Sequence, residues 1–71
     1  MTPEELQETC EKLGYPWVAM SSLHTWQAYD KEPIEDLVMW ITQGPSMVLD
    51  LVKVDYKGNW KDSLRGPKEK K

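Results

Sequence analysis

Few residues of this chain can act as a nucleophile or a base at neutral pH. It contains one histidine, His24, and one cysteine, Cys10, and nucleophilic catalysis needs a base beside the attacking group. His24 lies in the run Ser-Ser-Leu-His-Thr-Trp, which has no glycine elbow to expose a catalytic serine. Cys10 shares a helical apolar stripe with Leu6 and Leu13, where a thiol packs inertly. We therefore expect a protein that is not an enzyme.

Acidic residues are densest at positions 30–36, where a divalent metal site is the alternative to a solvated surface. The cluster comprises Asp30, Glu32, Glu35 and Asp36. It lacks the alternating Asp, Asn and Gly of a calcium loop, and acids are also favoured at a helix start by the helix dipole. One histidine and one cysteine do not complete a zinc shell, and the glycines are isolated, unlike those of a phosphate loop. We expect no metal and no cofactor.

The choice of aromatic residues is unusual, since the chain has four Trp, three Tyr and no Phe. Trp and Tyr combine an apolar ring with a polar group and are enriched at interaction hot spots. Tyr56 and Trp60 flank a predicted turn at residues 57–59, where little core is available to them. Met39 projects away from the apolar stripe of its predicted helix. We interpret Met39, Tyr56 and Trp60 as contact residues for a partner protein.

Basic residues interleave with the last two aromatics, and this favours nucleic-acid binding as an alternative function. Basic side chains neutralise phosphates while Trp and Tyr stack on bases. The residues of this alternative are Tyr56, Lys57, Trp60, Lys61, Arg65 and Lys68. The same pattern is typical of a solvated edge hairpin whose lysines discourage aggregation.

The net charge of −3 conceals a division along the chain. Residues 1–52 carry nine acids against two bases, a net −7, and residues 53–71 carry seven bases against three acids, a net +4. This asymmetry favours a basic contact tail or head-to-tail pairing of chains. Since a single core of this size leaves about 3–5 kcal/mol of stability, and one cysteine makes no internal disulfide, we expect a weak homodimer or a partner-stabilised state.

The hydropathy pattern predicts a soluble protein with no membrane contact. No uncharged apolar stretch reaches about 18 residues, and the amino terminus is acidic where a secretory signal would be basic and then apolar. A lone thiol at Cys10 is tolerated in a reducing compartment. We therefore expect the cytoplasm.

The elements that position these residues begin with a helix over residues 3–13. Thr2 can cap it, Pro3 suits its first position, and Glu5 completes a capping box. Gly14 can adopt the left-handed conformation that closes it. This start is the strongest local signal in the chain.

A second helix is predicted over residues 33–43 and a carboxy-terminal hairpin beyond it. Ile34, Leu37, Val38 and Ile41 recur at helical spacing. Residues 46–56 are β-branched and aromatic enough for the first strand of the hairpin, with the turn at 57–59. Asp50 interrupts an apolar face of that strand, which predicts a sheet margin there.

Residues 15–31 fit either a short strand followed by a helix capped by Ser22, or a β-hairpin around residues 21–22. The first alternative gives the element order of a winged helix, and the second gives an α+β meander. We favour the first, and predict a small α+β domain over residues 1–64, with two to three helices followed by an antiparallel hairpin. Residues 65–71 are predicted to be a disordered basic tail. The expected function is that of an intracellular interaction module, an adaptor or an inhibitor that regulates a partner protein.

Overall fold

The structure, a computed structural model, describes residues 1–49 and 52–67 of the chain. Within these residues it has one α-helix and five strands, followed by a short 3₁₀ helix, Trp60–Asp62. The elements are α1 (Pro3–Lys12), β1 (Trp17–Met20), β2 (Trp26–Tyr29), β3 (Ile34–Glu35), β4 (Trp40–Ile41) and β5 (Ser46–Leu49). The strands form an antiparallel sheet in the order β1-β2-β5 and a separate β3-β4 hairpin. None of the described helices has the length and apolar character needed to cross a bilayer.

Helix α1 forms as its sequence predicts. The Thr2 hydroxyl accepts the Glu5 N–H at 3.2 Å, while the Glu5 carboxylate accepts the Thr2 N–H at 2.8 Å, so the capping box is confirmed. Gly14 has φ +93°, the left-handed conformation expected where the helix ends. Leu6 and Cys10 are buried on the face of α1 that packs against the sheet.

The three-stranded sheet has a core on each face because successive residues of a strand point to opposite sides. Toward α1 the sheet presents Val18, Met20, Trp26 and Ala28, which cluster with Leu6 and Cys10. On the other, second face of the sheet Ala19 and Tyr29 pack with Trp40 of β4, and these three residues form what we call the second core. Trp17, Trp60 and Leu64 pack around them. The β3-β4 hairpin and the 3₁₀ helix therefore cover the side of the sheet opposite α1.

The prediction of a second helix over residues 33–43 was wrong, since this segment is the β3-β4 hairpin. The Asp36 N–H donates to Met39 O at 3.0 Å and closes a turn whose two central residues are Leu37 and Val38. Burial of Trp40 against the second face of the sheet decides the conformation, and the Trp40 indole N–H donates to Met20 O at 3.0 Å. The predicted fold class is therefore corrected from two or three helices to one helix among the described residues.

Residues 15–31 adopt the hairpin alternative, so the favoured strand-and-helix alternative and its winged-helix element order were wrong. Each residue of β1 pairs with one of β2, from Trp17 with Tyr29 to Met20 with Trp26. Trp26 and Ala28 thereby join the core on the α1 side, while Tyr29 joins the other. The residues of this segment also fit helical spacing, but burial of alternate residues on the two faces of the sheet determines the strand conformation.

The predicted carboxy-terminal hairpin is also absent from the described residues. Strand β5 ends at Leu49, Asp50 lies outside the described residues, and residues 52–57 have no regular secondary structure. The chain instead turns Trp60 inward against Trp40, with ring centroids 5.9 Å apart. Packing of this large ring against the second core replaces the predicted strand pairing.

The segment after the 3₁₀ helix returns to the sheet. Arg65 and Val18 exchange backbone hydrogen bonds of 2.8 and 2.9 Å, which places residue 65 beside the edge of β1 that β2 leaves open. Gly66 is buried next to the Trp17 ring. The predicted tail, residues 65–71, thus begins with residues packed on the domain, and positions 68–71 lie outside the described residues.

Candidate binding surface

Two loop tips lie side by side and expose apolar side chains. The tips are the β1-β2 loop, residues 21–25, and the β3-β4 turn, residues 36–39, and the Ser22 hydroxyl joins them by donating to Val38 O at 3.0 Å. The exposed fractions are 84% for Leu23, 81% for Leu37, 66% for Val38 and 53% for Met39. We call these four residues the apolar tip.

The β1-β2 loop is held by hydrogen bonds centred on Ser21. The Ser21 N–H donates to Thr25 O at 2.8 Å, and the Ser21 hydroxyl accepts the N–H groups of Leu23 and Thr25 at 3.3 and 3.2 Å. His24 has φ +64°, a left-handed conformation that hairpin loops of this length use before the second strand. The loop backbone therefore fixes Leu23 at its outer end.

The β3-β4 turn is chemically unusual. Turn centres normally carry Gly, Asn, Asp or Pro, each of which lowers the free energy of a turn conformation. Here the two central positions are Leu37 and Val38, and both are largely exposed. Neither residue contributes to the two buried clusters. Packing within the described chain therefore does not explain the choice of apolar residues at this turn.

A groove of about 270 Å³ lies between the β1-β2 loop and strand β4. The residues that line it are Ser21, Ser22, Leu23, Thr25, Gln27, Tyr29, Met39 and Trp40. Two of them, Leu23 and Met39, also belong to the apolar tip. The groove and the apolar tip are thus parts of one continuous surface.

The β2 side of the groove carries hydrogen-bonding groups. The Tyr29 hydroxyl donates to Gln27 Oε1 at 2.8 Å, and burial raises the pKa of the Tyr29 phenol to about 12, so this donor keeps its proton at neutral pH. With its oxygen accepting this bond, the half-buried Gln27 retains the two N–H groups of Nε2. Among the described residues none accepts a bond from Nε2. The groove therefore offers a hydrogen-bond donor to a ligand.

Two acidic residues of the β3-β4 hairpin lie next to residues that line the groove. They are Glu35, which pairs with Trp40 across the hairpin, and Asp36, whose N–H donates to Met39 O. Both acids are exposed. Residues 21–49 contain two further acids, Asp30 and Glu32, and one basic residue, Lys31. The surface around the groove is therefore apolar and negatively charged.

The three predicted contact residues fall in different environments. Met39 lies in the wall of the groove and is exposed. Tyr56 is half-buried, meets Trp26 edge-on with centroids 5.8 Å apart, and donates its hydroxyl to Asn59 O at 2.7 Å. Trp60 is half-buried and packs against both cores. Tyr56 and Trp60 thus support the fold, and Met39 alone of the three lies in the groove.

Residues of the predicted nucleic-acid set make contacts within the chain, and Arg65 lies over the Tyr56 ring, 5.9 Å from its centroid. Arg65 Nε donates to Glu4 at 2.8 Å, and this hydrogen bond lowers the pKa of the Glu4 carboxyl. The Lys61 ammonium lies 5.6 Å from the centroid of the Trp60 ring, while Lys57 is exposed. Lys68 lies outside the described residues. The rings of Tyr56 and Trp60 are therefore occupied by side chains of the domain itself.

Sequence reasoning missed Leu23, Gln27, Leu37 and Val38 as surface residues. Leu37 and Val38 were assigned to the buried stripe of a helix, and their spacing contains no signal that corrects this assignment. Leu23 could have been identified from the sequence, because the hairpin alternative for residues 15–31 places it in the loop after Ser21 and Ser22.

The described residues contain no group of three or more His, Cys, Asp or Glu side chains placed to hold a metal ion, and this includes the acidic residues at positions 30–36.

Comparisons with protein-family models, with curated proteins and with solved structures find no match to this chain.

Proposed function

We propose that this protein is a non-enzymatic interaction module that binds a partner protein through the apolar tip. The observation that carries the proposal is the exposure of Leu23, Leu37, Val38 and Met39 on two adjoining loop tips. Single exposed apolar residues are common on protein surfaces, whereas a contiguous group marks an interaction site. Such a role is that of an adaptor, inhibitor or other regulator.

The organisation of the two tips supports this function. The Ser21 hydrogen bonds and the bond from Ser22 to Val38 O hold both loops in one arrangement. A surface that is ordered before binding loses less conformational entropy when the complex forms.

We place the protein in the cytoplasm because Cys10 is a free thiol, which a reducing compartment tolerates.

Affinity capture with matched variants tests the proposal. The immobilised wild-type protein is compared with a Leu37→Ser/Val38→Ser variant and with Leu13→Ser, which removes an apolar side chain that is 63% exposed at the end of α1. A partner retained by the wild type and by Leu13→Ser is then purified and its affinity measured by calorimetry. We expect the double variant to bind at least about tenfold more weakly, the scale of a hot-spot residue.

Two outcomes contradict the proposal. If the wild type and the double variant retain every captured protein equally, the apolar tip does not take part in binding. Capture of labelled single-stranded DNA that falls with rising salt and with Lys57→Ala/Lys61→Ala assigns the nucleic-acid function instead. Circular dichroism and urea unfolding of each variant establish that lost binding is not lost folding.

A further inference from the structure

We propose that the groove over β2 binds an extended peptide segment of the partner, in which one apolar side chain is flanked by lysine or arginine. This inference rests on the proposed function and names the chemistry of the ligand. It uses residues beyond the apolar tip, namely Gln27, Tyr29 and the two acids next to residues that line the groove.

The size and lining of the groove suit a single side chain of a larger partner. The groove encloses about 270 Å³, close to the lower bound of the roughly 300–1,000 Å³ spanned by sites for drug-sized ligands and cofactors. Its walls include Leu23, Met39 and the Trp40 ring. A volume of this size with apolar walls suits one apolar anchor from a larger partner.

The spacing of groups along β2 matches an extended backbone. Thr25, Gln27 and Tyr29 are alternate residues and so lie on one face of the strand, all lining the groove. An extended peptide repeats its side chains and carbonyls with the same two-residue period. The Nε2 donor of Gln27, which has no acceptor among the described residues, can then bond to a peptide carbonyl while the apolar anchor lies between Leu23 and Met39.

The acidic residues beside the groove favour basic residues next to the apolar anchor of the ligand. Glu35 and Asp36 pair with the lining residues Trp40 and Met39 and are exposed, so a flanking lysine or arginine meets negative potential on approach. The same acids disfavour two other occupants. A second copy of this surface would bring like charges together, and a nucleic-acid backbone would place phosphates beside carboxylates.

Selection from a random peptide library tests the proposal. A displayed library of 12-residue peptides is selected on the immobilised full chain, and the enriched sequence is synthesised with a fluorescent label for anisotropy measurements. We expect the enriched peptides to share one apolar residue with Lys or Arg beside it. Gln27→Leu and Met39→Asp should each weaken the labelled peptide at least about tenfold.

A pair of matched charge variants tests the acidic residues beside the groove without disturbing the core. Glu35→Gln and Glu8→Gln each remove one negative charge from an exposed position, the first beside the groove and the second on α1. We expect Glu35→Gln to weaken peptide binding about three- to tenfold and to reduce its dependence on salt. Glu8→Gln should bind as the wild type does.

The result that overturns this inference is distinct from failure of the proposed function. No enriched peptide, an enriched motif without basic residues, or binding unchanged in both Gln27→Leu and Met39→Asp excludes the groove as this peptide site. The proposed function still stands in that case if partner capture depends on Leu37 and Val38. Concentration-dependent dimerisation that Met39→Asp abolishes, without any peptide binding, assigns the groove to a second copy and also overturns the inference.

Discussion

At the scale of single residues, Ser63 links the second core to the candidate site. Its side chain is fully buried, and its hydroxyl accepts the Met20 N–H at 2.7 Å. Met20 is the last residue of β1, and its carbonyl accepts the indole N–H of Trp40 in the groove wall. The Ser63 hydroxyl therefore helps to hold Met20, whose carbonyl anchors Trp40 in the groove wall.

Ser63→Ala should lower the free energy of unfolding by about 1–3 kcal/mol, the range for leaving a buried hydrogen-bonding group without its partner. The group left without its partner is the Met20 N–H, since alanine has no acceptor. Urea unfolding followed by tryptophan fluorescence measures the loss. Ser46→Ala, at an exposed position of β5, is the control and should change stability by less than about 0.5 kcal/mol. Equal stability of the two variants would show that another donor or water replaces Ser63.

The raised pKa of Tyr29 predicts that the protein loses stability at alkaline pH. Burial raises its pKa from 10.0 to about 12, so between these values the unfolded chain releases a proton that the folded chain retains. Stability is therefore fully present below about pH 10 and falls as pH rises toward 12, by about 1–3 kcal/mol in total. Urea midpoints at pH 9 and pH 11 measure this fall. Tyr29→Phe should show a smaller fall than the wild type, and an identical fall in both proteins would contradict the prediction.

At the scale of elements, local signals predicted α1 and tertiary contacts determined the rest. The capping box of Thr2 and Glu5 acts within one turn, so the sequence contains the whole cause of that helix start. The segment from Ile34 to Ile41 fits helical spacing equally well, yet it is a hairpin because Trp40 packs on the second face of the sheet. That burial depends on residues distant in sequence, and a pattern of apolar spacing does not record it.

The candidate site was predictable only in part for the same reason. Met39 was expected at the surface because it left the stripe of a helix, and it lies at the surface because it belongs to the β3-β4 turn. Tyr56 and Trp60 were expected at a hairpin tip with little core beside them. The second core, which Trp60 packs against, forms between β1, β2 and β4 and has no local signature.

The segment at Arg65 and Gly66 acts as a short additional partner of β1, and it requires a glycine. A β-carbon built on Gly66 would overlap the Trp17 ring, whereas at Gly44 the nearest atoms are those of Asp30 and Lys31, 3.8 Å away. Gly66→Ala should therefore lower stability by about 1–3 kcal/mol through overpacking. Gly44→Ala should stay within about 0.5 kcal/mol of the wild type. Thermal and urea unfolding of both variants measure the difference, and a stable Gly66→Ala would mean that the segment leaves β1 without penalty.

At the scale of the whole molecule, the two cores share one sheet. Val18 and Met20 of β1 belong to the core under α1, while Ala19 between them belongs to the core under the β3-β4 hairpin. Separating either layer from the sheet would expose one side of the same strand. We therefore expect the domain to unfold as one cooperative unit, as small single domains commonly do.

Cys10 is a reporter of that cooperativity. It is 2% exposed in the core under α1, and burial raises the pKa of its thiol, so native labelling by a thiol reagent requires opening of the structure. Gly66 contacts Trp17, which packs on the opposite core. If the domain opens as one unit, Gly66→Ala should speed Cys10 labelling about tenfold for each 1.4 kcal/mol of stability it removes, provided that reclosing is faster than labelling. Gly44→Ala should label at the wild-type rate. The contradicting result is a Gly66→Ala variant that is less stable than the wild type but whose Cys10 reacts with the thiol reagent no faster. It would mean that the layer carrying the groove opens without α1, and that the binding surface moves independently of the core beneath the helix.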